Sequence, residues 1–270
     1  MIGAKPRHRG RGIVTTVVLV FLAAACTSSS EAAAGKPSGR ITGRITGSIT
    51  VSAASSLGAV FDRIVTDFER AHPGTSVHLN LGPSSSLARQ IEQGTPADVL
   101  AAADDVTVRR LERAGLTRGK PKTLARNEMV IVTKPGNPQR VRTVRDLEDA
   151  GVVALCAAEV PCGQYAAQVL TRSGARLDDD QITRQVDASA TIGAVSHGDA
   201  DAAIVYLTDA KAAGRRVAMV AIPVDVNVVA RYPIVTLRSR TNPDATAAFV
   251  DAVLSPAGQA TLRRFGFRAP

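Results

Sequence analysis

Ser56, the run Ser84-Ser85-Ser86, Cys162-Gly163 and Ala188-Ser189 each stand just ahead of a stretch with helical apolar periodicity. The first N–H groups of a helix have no partner inside the helix, and that end carries partial positive charge. Small residues there let a ligand come close to the backbone. Several such starts in one chain suit a small, fully deprotonated anion held by backbone N–H groups and hydroxyls, and such a site needs no catalytic base. Each Ser taken alone is equally well an ordinary helix cap; the set is what points to a ligand. Tyr206 closes an apolar strand-like run, where its phenol either points into a cleft or sits half-buried with a satisfied hydroxyl.

Other chemistries find less support. Ser196 and His197 are adjacent, which raises an envelope serine hydrolase as the alternative of a different class, but no Gly-x-Ser-x-Gly elbow exists. Neighbouring residues on a helix also point away from each other. The four His are His8, His72, His78 and His197. His72 lies in a helix stop and His197 precedes Gly198, so both read as surface or cap residues. No His, Cys and carboxylate cluster has the spacing of a metal site. The reading is a binding protein and not an enzyme, without cofactor or bound metal cation; a purely structural or adhesive role would predict no stabilisation by any ligand.

Residues 1–12 carry Lys5, Arg7, Arg9 and Arg11 and no acid, and Ile13–Ala25 is apolar or small. This is the layout of a secretory signal; a bilayer span would need about 20 apolar residues. Cys26 after Ala23-Ala24-Ala25 resembles a bacterial lipobox, with Leu22 one place earlier than usual. Segment 1–25 is therefore read as a lipoprotein signal peptide. Residues 26–47 are read as the lipidated Cys and a flexible tether, because Ser, Ala, Gly and Pro cannot bury enough surface to offset chain entropy. The formal charge is +9, of which the four basic signal residues supply four, leaving +5. A mild positive field helps collect anions. Nucleic acid is a poor partner for an exported chain with no Trp and no dense Lys/Arg block. Outside the cytoplasm, Cys156 and Cys162 are more often a disulfide than free thiols. A redox or metal pair is disfavoured because the spacing is not C-x-x-C and no His lies nearby.

Positioning these residues requires alternating elements. Leu57, Val60, Phe61, Ile64, Val65 and Phe68 mark one helical face. Short apolar runs at 48–53, 77–81, 99–102, 129–133, 152–155, 202–206, 217–222 and 226–230 read as strands. Periodic segments around residues 87–91, 106–114, 165–170, 192–195, 246–254 and 259–264 read as helices. The alternation predicts an α/β chain with mainly parallel sheets, in which ligands sit at the carboxyl ends of strands beside helix N-termini.

Val51-Ser52-Ala53-Ala54-Ser55-Ser56-Leu57, then Ser84-Ser85-Ser86-Leu87-Ala88-Arg89-Gln90-Ile91 running on to Thr95-Pro96-Ala97-Asp98, is similar to the molybdate-binding proteins of ABC importers. Val160-Pro161-Cys162-Gly163-Gln164-Tyr165-Ala166, Ile204-Val205-Tyr206 and Ser255-Pro256-Ala257-Gly258-Gln259 match further family segments in the same order. The resemblance implies a two-lobed periplasmic-binding-protein fold, each lobe a mainly parallel sheet flanked by helices, with the ligand in the cleft. The lobes would be residues 48–127 plus 232–270, and 128–231. The implied ligand donors are Ser56 and Ser84 through hydroxyl and N–H, the Cys162 and Ala188 N–H groups, and the Tyr206 hydroxyl. Cys162 stands where the family often has Ala. Ala188 is placed by counting back from Tyr206, with Asp187 and Ser189 as neighbouring alternatives. The resemblance further implies molybdate, with tungstate, as ligand, so that molybdenum is held only as its oxyanion. It implies ABC permease subunits as partners, a monomer, and a lipid anchor on the outer face of the cytoplasmic membrane. Sulfate, phosphate or another small oxyanion is the alternative ligand: protonated phosphate would set an O–H against donors, whereas sulfate differs in size.

Overall fold

The computed structural model describes residues 45–270; the signal segment 1–25, Cys26 and the tether as far as residue 44 lie outside them. β1 (Gly47–Ala54) buries Ile49, Val51 and Ala53. It runs into a 3-10 turn, Ser55–Leu57, and then α1 (Gly58–Ala71). Of the six periodic positions, Leu57, Val60, Phe61, Ile64 and Phe68 are buried and Val65 is half-buried. Each buried side chain contributes about 1.5–3 kcal/mol through removal from water. The chain continues through β2 (Thr75–Gly82), α2 (Ser84–Glu92), β3 (Val99–Ala101), α3 (Asp105–Arg113) and β4 (Thr117–Thr133). Next come β5 (Val153–Cys156), α4 (Pro161–Ser173), β6 (Ile182–Gln185), α5 (Ala188–His197), β7 (Ala202–Tyr206) and α6 (Leu207–Ala213). β8 (Ala218–Ala221), β9 (Val229–Leu237), α7 (Pro243–Leu254) and α8 (Pro256–Arg264) complete it. Among the described residues no helix is long and apolar enough to cross a membrane.

The strands follow the order β2-β1-β3-β9-β4-β7-β5-β6, with β8 also on β4. β2, β1 and β3 run parallel, as do β7, β5 and β6. Antiparallel pairing is confined to β4 and β9: β9 against β3, and β4 against β9, β7 and β8. The apolar runs anticipate β1, β2 and β3 and, of the second trio, β5 and β7 but not β6; the antiparallel strands make the α/β sheet mixed. β4 pairs with β9 up to Glu128↔Val229 and with β7 from Met129↔Tyr206, so one strand serves both halves of the sheet.

Two elements differ from expectation in extent. The run 129–133 is only the last third of β4, and the strand read at 226–230 is displaced to Val229–Leu237. β6 and α6 were not anticipated. α7 packs back onto α1, where Phe249 meets Phe61 and Phe68 edge-on at 6.1 and 5.4 Å. Asp98 ends the 84–98 motif with a structural task. Its carboxylate accepts N–H bonds from Thr50 at 2.7 Å and Thr241 at 2.5 Å, tying β1 to the segment ahead of α7.

Candidate functional site

Each predicted helix start follows the carboxyl end of a parallel strand. β1 ends at Ala54 before Ser55-Ser56, β2 at Gly82 before Ser84, β5 at Cys156 before Pro161-Cys162, and β6 at Gln185 before Ala188. Ser56, Ser84, Cys162, Ala188 and Tyr206 all line one small pocket. Asp187 lines it too, whereas Ser189 lines a larger neighbouring cleft. The 3-10 turn, α2 and α4 begin without a side-chain cap, their preceding residues being Ala54, Pro83 and Val160. Their leading N–H groups are therefore not consumed by a neighbouring side chain. At α5 the Asp187 side chain caps Ala190 N at 2.8 Å, two residues beyond Ala188.

The hydroxyls are set up as donors. Ser84 Oγ accepts the Ala103 N–H at 3.0 Å, which leaves its own proton for another acceptor. Ser56 Oγ lies 2.9 Å from Tyr232 Oη, and Tyr232 Oη in turn accepts from Asn127 Nδ2 at 3.3 Å. The Tyr206 hydroxyl is fully enclosed and has no hydrogen-bond partner. Burial, followed by the neighbouring Tyr232 phenol, raises its pKa well above the ordinary tyrosine value, so it stays a protonated donor. Its ring is held between Tyr165 and Tyr232, with centroids 6.3 and 5.8 Å away.

No Lys, Arg or His lines this pocket. Asp187 is the one carboxylate in its lining, and the donors it offers a ligand are neutral hydroxyls and helix starts. Lys211, Arg216 and Arg264 lie instead around the larger cleft, which shares Ser55 and Ser56 with the pocket and has a volume of about 650 Å³. That cleft also holds Asp209, a buried carboxyl whose Oδ2 has no partner. Burial and then the Asp187 charge push its pKa up to about 7.

Cys156 and Cys162 are joined by a disulfide, with Cα atoms 5.8 Å apart, and the bridge clamps the end of β5 to the start of α4. Gly163 is small for a packing reason. A Cβ there would lie 2.0 Å from the Ala157 carbonyl oxygen, so close backbone approach, not ligand approach, requires glycine. Of the Ser run, Ser84 reaches the pocket, Ser85 Oγ is enclosed without a partner, and Ser86 accepts from Arg89 at 2.8 Å. Ser196 donates to the Gly193 carbonyl at 3.1 Å and makes no pair with His197. The His72 ring packs on Phe68 at 4.6 Å. Among the described residues no group of His, Cys, Asp and Glu is placed to hold a metal ion. Sequence reasoning did not find Tyr232, which holds Ser56, or Asn127 behind it and Thr208 on α6; their partners come from distant elements, so no local signal marks them.

This geometry coincides with a known family. The chain matches the family model for bacterial extracellular solute-binding proteins over residues 49–268. It is 35% identical over 260 residues to the molybdate-binding protein ModA of Mycobacterium tuberculosis, a match covering 96% of this chain and 97% of the relative. The structure of the periplasmic molybdate-binding protein of Azotobacter vinelandii is similar, with a TM-score of 0.74 at 21% identity, over 82% of this chain and 99% of that one. The sulfate-binding protein SubI of M. tuberculosis gives a TM-score of 0.75 at 20% identity, over 82% of this chain and 86% of that one. Both structures attest the fold. With its mixed α/β sheet, its helix starts gathered at strand ends and a family match running from β1 to beyond α8, this chain belongs to the bacterial extracellular solute-binding proteins.

Proposed function

We propose that the chain captures molybdate, and with it tungstate, outside the cytoplasm and delivers it as a monomer to the membrane subunits of an ABC permease. The observation that carries this reading is the convergence of Ser56, Ser84, Cys162, Ala188 and Tyr206 on one cation-free pocket, with an enclosed phenol that has no protein partner. Neutral donors satisfy an unprotonated dianion. A protonated anion would set an O–H against donors and lose a buried hydrogen bond, at about 1–3 kcal/mol. The named relative with the 35% match supports molybdate over sulfate. The sulfate-binding fold neighbour makes sulfate the competing ligand.

In this reading residues 48–127 plus 232–270 form one lobe and 128–231 the other, closing on the anion. The change of partner along β4 between Glu128 and Met129 supports that division. Cys26 is the lipidated residue that anchors the protein to the outer face of the membrane, and its replacement by Ser is expected to shift the protein from the membrane fraction to the soluble one.

Thermal melting of the purified protein with molybdate, tungstate, sulfate and phosphate tests the ligand. A ligand at 100 times its Kd stabilises by about 2.7 kcal/mol, or about 5–11 °C for a chain of this size. A rise with molybdate and tungstate only is the expected result; a rise with sulfate alone reassigns the substrate, and no rise with any oxyanion removes the binding reading.

A further inference from the structure

We propose that Asn127 and Tyr232 are positioning residues that fix the proton of Ser56 toward the anion, so that the pocket selects for oxyanions carrying no proton. The inference rests on the oxyanion reading above. Both side chains are buried, at 1% and 0% exposure, and both lie on the two long strands, behind the pocket. The Glu128 N–H donates to Asn127 Oδ1 at 2.9 Å. The amide oxygen is thereby occupied and the amide nitrogen faces the other way, donating to Thr208 Oγ1 at 2.8 Å and Tyr232 Oη at 3.3 Å. Tyr232, having accepted, keeps its own proton for its other neighbour, Ser56 Oγ at 2.9 Å.

The reverse direction, Ser56 donating to Tyr232, would strand the phenol proton in a fully buried place with no acceptor, which is costly. Ser56 therefore receives at its oxygen and has its own proton free for the pocket. The relay starts from a backbone N–H, whose direction is fixed, and passes that direction through two side chains from β4 and β9 to the turn after β1. Ser84 receives the same treatment directly from the Ala103 N–H. The Asn127–Tyr232 arm differs in being built of side chains, so substitution can reverse it.

The test is a double-mutant cycle read by calorimetric titration of the purified protein with molybdate and with inorganic phosphate. Asn127→Asp keeps the acceptor for Glu128 N–H but replaces the amide donor with an acceptor. The Tyr232 proton then turns to residue 127, Ser56 donates to Tyr232, and lone pairs face the anion. The expected loss of molybdate affinity is about tenfold or more, that of one hydrogen bond to a charged group. In the background of Tyr232→Phe the same change is expected to cost about threefold or less, because the relay is already cut. The ratio of molybdate to phosphate affinity is expected to fall in both single variants. An equal loss from Asn127→Asp in both backgrounds means simple charge repulsion through space and overturns the relay, as does an unchanged anion ratio. If Asn127→Asp does not fold, Tyr232→Phe alone, which removes only a hydroxyl, still decides through the ratio. A wild-type protein that binds no oxyanion refutes the underlying reading; one that binds molybdate with an additive cycle refutes the relay alone.

Discussion

Tyr206→Phe separates a ligand donor from a structural tyrosine, because its two effects should have opposite signs. The hydroxyl is buried with no partner in the protein. Deleting it removes a desolvated polar group, whose burial costs about 1–3 kcal/mol. The ring stays in place, since Tyr165 and Tyr232 hold it by edge contacts that Phe retains. After a small packing loss, the ligand-free protein is expected to gain about 1–2 kcal/mol. For a chain of this size that raises Tm by about 2–8 °C. Binding moves the other way. A hydrogen bond to a charged acceptor contributes about 1.5–3 kcal/mol, so molybdate affinity should fall about 10- to 150-fold. Scanning calorimetry without ligand and titration calorimetry with molybdate measure the two effects on one preparation. A ligand-free variant that melts lower while binding as tightly as the wild type would refute the reasoning, because the hydroxyl would then serve the fold and not the anion.

Three other substitutions follow from the same geometry. Ser84→Ala deprives the buried Ala103 N–H of its acceptor, so it should destabilise by about 1–3 kcal/mol as well as weaken binding, visible as a lower Tm without ligand and a raised Kd. Asp209 tests pH dependence. Its folded pKa is raised from 3.8 to about 7, so the native state binds more protons than the unfolded chain between those values and loses stability as pH rises through them. Asp209→Asn should therefore melt close to the wild type near pH 4 and higher than it at pH 8, by up to on the order of 4 kcal/mol; equal melting at both pH values would rule out the buried carboxyl as the cause. Gly163→Ala should destabilise by about 1–3 kcal/mol, since its Cβ would lie 2.0 Å from the Ala157 oxygen, and an unchanged Tm would show that α4 can shift freely.

Of the pocket-lining residues, Ser56, Ser84 and Cys162 were legible in the sequence because each stands at a small-residue start of a periodic helix, whereas Tyr206 closes an apolar run and Ala188 was placed by counting back from it. The residues that orient them were not legible. Ser56 and Tyr232 are 176 positions apart, Asn127 and Tyr232 105, and Asn127 and Thr208 81, so no local spacing connects them. The fold shows the same divide. α1 and α7 carry clear apolar faces. The first part of β4 contains Gly119, Pro121 and several basic residues, with shifts of register between Arg118 and Lys122. Such residues are depleted in strands, and only the neighbouring β9 makes this segment a strand. β6 is an edge strand with half-buried Ile182, Thr183 and Gln185, so it lacks the alternation that would announce it. α6 is only seven residues long and buries Thr208 and Asp209, so no apolar helical stripe stands out.

β9 is the last strand to be made, yet it lies between β3 and β4. Before Val229–Leu237 exists, β3 and the Thr117–Glu128 part of β4 face each other across a gap with unpaired edges. The first half of the sheet therefore cannot close during synthesis, and its closure depends on pairings between residues far apart in the chain, which form slowly. A chain cut short before Val229 is left with two open edges and a tendency to aggregate. A complete one stays threadable until its end appears, so the order of strands itself delays folding in a protein whose work lies on the far side of a membrane.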